Sequence, residues 1–255
     1  MPRTGRALAM DERIWIPYCG TAPDPASLLG RFNWDPLLLG FLAALGAIGI
    51  ARTVGRPRER RCLLAVLLLA LLLFVSPLCA LTSALFSARS AHHLALTAAL
   101  APFIVAAVPR SHVSGGPVLW TALSAAILWL WHAPPLYSAA LSNDLVYWLM
   151  QASLLGSATA FWLSLRSTSA IAAVAALLAY MVQMGLLGAL LTFSQNAIYA
   201  PHALTTAAWG LSPLEDQQLA GLIMWAPGAL AYLAAALARL YRLLEGEARQ
   251  VVALS

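Results

Sequence analysis

Charged residues are scarce in this chain. Only 10% of its 255 residues are Asp, Glu, Lys or Arg, whereas 61% are hydrophobic. An ordinary soluble domain carries about 25% charged residues, and a surface that meets water on all sides cannot be built from so little charge. The composition therefore excludes a soluble globular domain and predicts an all-α integral membrane protein.

Lysine is absent, so all fifteen basic residues are arginine. Cytoplasmic loops of membrane proteins collect positive charge during insertion, and the net charge of +5 is therefore no sign of nucleic-acid binding. The loop after the first apolar segment holds the densest group, namely Arg52, Arg56, Arg58, Arg60 and Arg61. The alternate loops carry almost no arginine, which predicts an N-terminus outside the cytoplasm and a cytoplasmic C-terminus.

Long apolar segments are the main feature of the sequence. A bilayer core about 30 Å thick requires about 20 apolar residues for each helical span. Seven segments approach or reach this length, at 35–51, 62–80, 92–108, 118–131, 145–165, 170–193 and 218–241. We predict a bundle of about seven transmembrane helices at 34–242, with an extracytoplasmic N-terminal arm at 1–33 and a cytoplasmic tail at 243–255.

Cysteines and catalytic fingerprints are also rare. Cys19 lies in the arm, Cys62 and Cys79 lie at opposite ends of the second segment, and no CxxC pair is present. No two of the three cysteines are therefore plainly positioned to form a bond. The sequence has no P-loop, GxSxG, HExxH or GxGxxG motif in a suitable context, and no charged residue at the middle of a predicted span. We therefore predict that the protein is not an enzyme. The lack of charge within the spans also argues against a proton pump.

Histidines cluster at one face of the predicted bundle. Once the topology is fixed, four of the five map to its extracytoplasmic side, namely His92, His93, His132 and His202. Asp216 begins the seventh segment, and Met224 follows two turns later. Imidazole and thioether groups together favour Cu(I) among biological metals. Interfacial histidines often bind only water or backbone, so a metal-free interpretation stays open for each of them.

Several motifs together resemble a known family. They are YCGTAPDP, NWDPLLLGF, LCALTSALFSARSAHHLAL, WLWHAPPLY and, most specifically, WGLSPLEDQQLAGLIMWAPG. These residues are similar to the multi-spanning CtaG family of cytochrome c oxidase assembly factors, the kind linked to caa3-type oxidases. The resemblance implies a factor that assists copper delivery or insertion at the outer face of the bacterial cytoplasmic (inner) membrane. Its implied partners are haem-copper oxidase subunits, membrane lipid and periplasmic copper chaperones.

The resemblance also implies a set of metal ligands. The family's outer histidines correspond to His93, His132 and His202, and its acidic-Gln-Met segment corresponds to Asp216, Gln217 and Met224. His92 is a further candidate.

The chain departs from the family pattern at one position. Many members resemble SAHMxQH at the start of the third segment, whereas SARSAHH here places Arg89 at the first histidine position. The permanent charge of Arg89 would repel a bound cation unless Asp216 or Glu215 paired with it.

Two other functions remain compatible with the sequence. A membrane cytochrome would use two of the histidines, on different helices, to ligate one haem iron. A metal-free scaffold or a transporter would give the histidines no ligand role.

Overall fold

The structure is a computed structural model, which describes residues 17–108 and 111–254. The first sixteen residues of the predicted arm therefore lie outside the described part of the chain. The described residues contain no β-strand and form ten α-helices: α1 Pro36–Arg52, α2 Pro57–Phe74, α3 Pro77–Ala84, α4 Phe86–Ala95, α5 Ala101–Ala107, α6 Pro117–Trp131, α7 Pro134–Ala140, α8 Asp144–Ser164, α9 Ala170–Thr192 and α10 Pro213–Leu254. A π-helical turn, Leu96–Leu100, joins α4 to α5.

Local sequence explains where these helices begin. Six of the ten start at a proline, whose missing N–H costs nothing in the first turn. Polar caps reinforce several starts: Asp35 accepts from the N–H groups of Leu37 and Leu38, and Asn143 and Ser169 cap α8 and α9. The helix boundaries thus follow ordinary capping chemistry.

Each of the seven predicted apolar segments falls on helical residues, but two differ in detail. The second is not one straight helix, because α2 and α3 bend by 44° at their junction, where Ser76 caps α3 and Pro77 opens it. The third begins at Phe86, six residues earlier than predicted. His92 and His93 therefore lie inside α4 rather than at its start.

Length and hydropathy identify fewer certain spans than the sequence predicted. Within the described residues, three helical stretches are long and apolar enough to cross a membrane: Phe86–Ala107, Ala170–Thr192 and Pro213–Gly246. A fourth is added if α2 and α3 count together, whereas α1 and α6 are apolar but shorter. The count of seven spans and the orientation remain predictions. Helix α10 also continues past residue 243, where the predicted tail begins.

Two cysteines that are not plainly positioned to bond in the sequence form a disulfide in the structure. Cys19 and Cys79 are bonded, with their Cα atoms 5.3 Å apart. The described part of the arm folds back onto the bundle, where the Tyr18 ring stacks on Tyr147 with centroids 4.9 Å apart. This contact brings together two cysteines that are 60 positions apart in the sequence. A bond closing such a loop typically stabilises a fold by about 2–4 kcal/mol, and it is typical of an oxidising compartment.

Helices α9 and α10 pack together more extensively than any other pair among the described helices. They run antiparallel and touch backbone to backbone, because a Cβ on Gly221 would lie 2.5 Å from the carbonyl oxygen of Gly188. Helix α10 also packs against α4, and α6 packs against both α8 and α9. Helices α4, α6, α9 and α10 are thereby linked into one group, with α10 joining α4 to α9 and α9 joining α10 to α6.

Candidate metal site

A small enclosed cavity lies among these four helices. Its volume is about 10 Å³, and its wall includes His93 from α4, His132 after α6, Met184 from α9 and Met224 from α10. A cavity of that size holds about one water molecule or one ion. Two imidazoles and two thioethers from four separate elements are therefore among the groups that line a space for a single atom, together with Ser90, Leu94, Thr97 and Leu128.

His132 is oriented by its own helix. Its Nδ1 donates a hydrogen bond to the carbonyl oxygen of Leu128 at 2.7 Å, because a carbonyl can only accept. Nε2 consequently carries the free lone pair. Metal-binding histidines commonly use this arrangement, in which one ring nitrogen is fixed by a backbone carbonyl and the other binds the ion.

The imidazole of His93 has no hydrogen bond among the described residues. Both Nδ1 and Nε2 are buried without a partner, although only 3% of the residue is exposed. Its ring centroid lies 6.0 Å from that of His132. Burying a polar group without a hydrogen bond costs about 1–3 kcal/mol. An ion between the two rings would coordinate one nitrogen of His93 and remove the cost for that atom, whereas the N–H on the other nitrogen would still lack an acceptor.

The two methionines complete the wall of the cavity. Both are buried, with 2% of Met184 and 3% of Met224 exposed. Gly228 makes room for one of the sulfurs, since a Cβ there would lie 2.5 Å from Met184 Sδ. Thioether sulfur is a soft donor, and its combination with imidazole favours Cu(I) over harder cations.

The other residues predicted as ligands lie elsewhere and have other partners. His92 contacts the Leu73 carbonyl oxygen through Nε2 at 3.2 Å, and His202 Nε2 lies 2.6 Å from the Tyr137 hydroxyl oxygen. Gln217 binds backbone atoms of Asn196 and Ile198. Within the part of the chain that the structure covers, no group of three or more His, Cys, Asp or Glu side chains could hold a metal ion.

Asp216 acts as a helix cap in the structure. Its carboxylate accepts from the backbone N–H groups of Phe86 and Ser87, at 2.7 and 3.1 Å, and from the Ser87 hydroxyl. Helix α4 lacks a local cap, because Leu85 stands at its N-cap position. Asp216 supplies the missing acceptor from another helix. Its negative charge also interacts favourably with the positive end of the α4 dipole.

His202 is held neutral in the loop between α9 and α10. Burial, and then the positive charge of Arg89, lower the pKa of its imidazole to about 3, against a smaller opposing effect from the Ala84 carbonyl. The ring is therefore uncharged at neutral pH and exchanges a hydrogen bond with Tyr137.

Neither carboxylate that could balance Arg89 does so. Asp216 caps α4, and the exposed Glu215 accepts instead from the N–H group of Ser212 at 2.8 Å. Arg89 itself is 0% exposed. Its uncompensated charge lies on the same face of α4 as His93, one turn away.

Sequence reasoning missed Met184, although the sequence contains a signal for it. Gly188 and Gly221 mark the point where α9 and α10 cross. Met184 lies one turn before Gly188, and Met224 lies one turn after Gly221. Because the helices are antiparallel, one turn toward the N-terminus of α9 and one turn toward the C-terminus of α10 point the same way along the bundle. The two methionines therefore lie at the same level.

Comparison with known proteins identifies the family. No curated protein and no solved structure matches the chain. A family model described as cytochrome c oxidase caa3 assembly factor (Caa3_CtaG) matches residues 110–245. The match includes His132, Met184 and Met224, but it begins after Arg89 and His93. It spans more than half of the 255 residues, and the chain therefore belongs to the family of cytochrome c oxidase caa3 assembly factors.

Proposed function

We propose that this assembly factor holds one Cu(I) ion in the enclosed cavity and supplies it to a haem-copper oxidase subunit. The observation that carries the proposal is the joint placement of His93, His132, Met184 and Met224 around about 10 Å³. The copper is cargo, and no catalytic step is required of the protein.

The ligand set suits delivery as well as binding. Two neutral imidazoles and two thioethers carry no negative charge, so they bind the ion less tightly than thiolates would. A client subunit with cysteine ligands would therefore withdraw copper from this site. Periplasmic copper chaperones are the proposed source of the ion, and oxidase subunits are the proposed destination.

The proposal includes a seven-span topology, with the disulfide on the extracytoplasmic side. Large apolar side chains are exposed along many of the helices, among them Leu37, Leu68, Leu149, Leu190 and Leu230. Exposure of such apolar side chains is favourable in contact with lipid and unfavourable in contact with water. The exposed aromatic rings of Phe32 and Trp34 suit the membrane interface. The bacterial cytoplasmic membrane is the proposed location.

The size of the cavity favours a single ion over a haem. About 10 Å³ between His93 and His132 leaves no space for a porphyrin. A metal-free scaffold would leave both nitrogens of His93 buried without partners. Copper binding suits the size of the cavity and would give one of the two His93 nitrogens a partner.

Copper retention tests the proposal on the purified full-length protein. After anaerobic loading with Cu(I) and desalting in detergent, we expect the wild type to retain about one copper per chain, because the cavity has space for one ion. The double variant His93→Ala with His132→Ala loses two of the four donors and is expected to retain less than about a tenth as much. Elemental analysis and an optical spectrum give both results.

His112→Ala is the matched control, because His112 is exposed and lies outside the cavity. It is expected to retain copper like the wild type. No retained copper in the wild type would rule out the delivery site and leave a scaffold. A Soret band on the purified protein would instead support haem binding.

A further inference from the structure

We propose that Arg89 binds a small monovalent oxyanion of the carboxylate class, at a site separate from the metal cavity. The side chain is 0% exposed, and its Nε, Nη1 and Nη2 atoms have no hydrogen-bond partner among the described residues. Arginine stays protonated at any pH at which the protein is folded. The fold therefore buries a full positive charge with all of its donors free.

No carboxylate of the described chain provides the counter-charge. The salt bridges found there join Arg56 to Glu59 and Arg249 to Glu245, on other parts of the surface. Leaving a buried charge unpaired costs several kcal/mol. A bound anion would remove this cost.

The surroundings of Arg89 are polar and neutral. The guanidinium lies 5.4 Å from the centre of the Tyr147 ring. Its positive charge also interacts electrostatically with the phenol oxygens of Tyr137 and Tyr147. Neither oxygen forms a hydrogen bond of normal geometry with it. Gln151, which is 2% exposed, also has both ends of its amide group without a partner. The Tyr147 hydroxyl and the Gln151 amide are thus available as further donors, whereas the Tyr137 hydroxyl already shares a hydrogen bond with His202.

These groups define the class of ligand. A guanidinium offers two parallel N–H donors that match the two oxygens of a carboxylate. One arginine balances one negative charge, and His202 beside it is neutral. A divalent anion such as sulfate would bring a second, unbalanced charge into a buried site. Formate, acetate and bicarbonate have the required shape and charge.

A cleft lies beside residues that are next in sequence to Tyr137 and His202. It has a volume of about 960 Å³ and opens among α3, α7 and the loop before α10. Its wall includes Ser83, whose buried hydroxyl has no partner, as well as Ser138 and Pro201, the immediate neighbours of Tyr137 and His202. Arg89 itself does not line this cleft, so an anion is expected to enter there and pass the buried groups around Tyr137 and His202 before it reaches the guanidinium. Once bound, it would also cancel the repulsion of a cation at His93, although anion binding itself does not depend on copper.

Titration of the metal-free, full-length protein with sodium formate tests the proposal. Ionic strength is held constant with chloride. We expect Tm to rise with the logarithm of the formate concentration above Kd, by on the order of 5 °C when formate reaches 100 times its Kd. Calorimetry is expected to give a saturable isotherm with a stoichiometry of about one. Arg89→Gln removes the charge and is expected to abolish both the formate-dependent rise in Tm and the calorimetric binding.

Arg31→Gln is the matched control, because Arg31 lies in an exposed part of the arm and donates to Thr21. It is expected to keep the wild-type response. The proposal is overturned if formate binding to the wild type does not saturate, or if Arg89→Gln responds as the wild type does. The calorimetric result on the wild type decides the matter even if Arg89→Gln does not fold.

Discussion

Replacing Gly221 with alanine is expected to destabilise the bundle by more than about 3 kcal/mol, although it adds only one methyl group. The added carbon would lie 2.5 Å from the Gly188 carbonyl oxygen and 2.7 Å from the Thr192 backbone nitrogen. These are backbone atoms, which cannot rotate away as a flexible side chain would. Helices α9 and α10 would have to separate, and Met184 and Met224 would separate with them.

Gly156→Ala is the matched control for this substitution. Gly156 lies in α8, and an added Cβ would meet nothing within 4 Å. Alanine is the better helix former by about 1 kcal/mol, so this variant is expected to be as stable as the wild type or more so. Thermal unfolding in detergent, monitored by size-exclusion chromatography, measures the stability of both variants. Equal stability of the two would contradict the close crossing of α9 and α10.

Asp216→Ala is expected to lower the free energy of unfolding by about 2–4 kcal/mol. The substitution removes a buried carboxylate that accepts three hydrogen bonds. The N–H groups of Phe86 and Ser87 would then be buried without partners at the start of α4. Thermal unfolding of the metal-free protein measures this loss.

The neighbouring substitution Glu215→Ala separates the buried cap from an exposed one. Glu215 caps the start of α10 at the surface, where such a group contributes at most about 1 kcal/mol. We therefore expect a much smaller loss than for Asp216→Ala. A metal-free Asp216→Ala protein with wild-type stability, but with no copper retention, would show instead that Asp216 is a ligand.

The helical segments were predictable from the sequence because apolar length is a local property. All seven predicted segments fall on helices, and the histidines assigned to one face include the two that meet in the cavity, His93 and His132. The family was predictable as well, because motifs such as WGLSPLEDQQ keep their residues in a fixed order. Both inferences depend only on residues that are close together in the sequence.

The composition of the site was less predictable, because it depends on how the helices pack. Asp216 was predicted as a ligand, but the rotation of α10 directs its carboxylate to the start of α4. His202 was likewise predicted as a ligand, but its loop folds onto Tyr137. Met184 and the bond between Cys19 and Cys79 depend on contacts between distant segments. No pattern of spacing within one segment reveals such contacts.

X-ray absorption spectroscopy of the Cu(I)-loaded wild-type protein tests the central claim most directly. Because the cavity is lined by His93, His132, Met184 and Met224, the spectrum is expected to show a mixture of nitrogen and sulfur scatterers around copper. The substitution Met184→Leu, with Met224→Leu, is expected to remove the sulfur contribution while the two imidazoles remain. A copper shell of nitrogen and oxygen alone in the wild type would contradict the assignment of this cavity as the copper site.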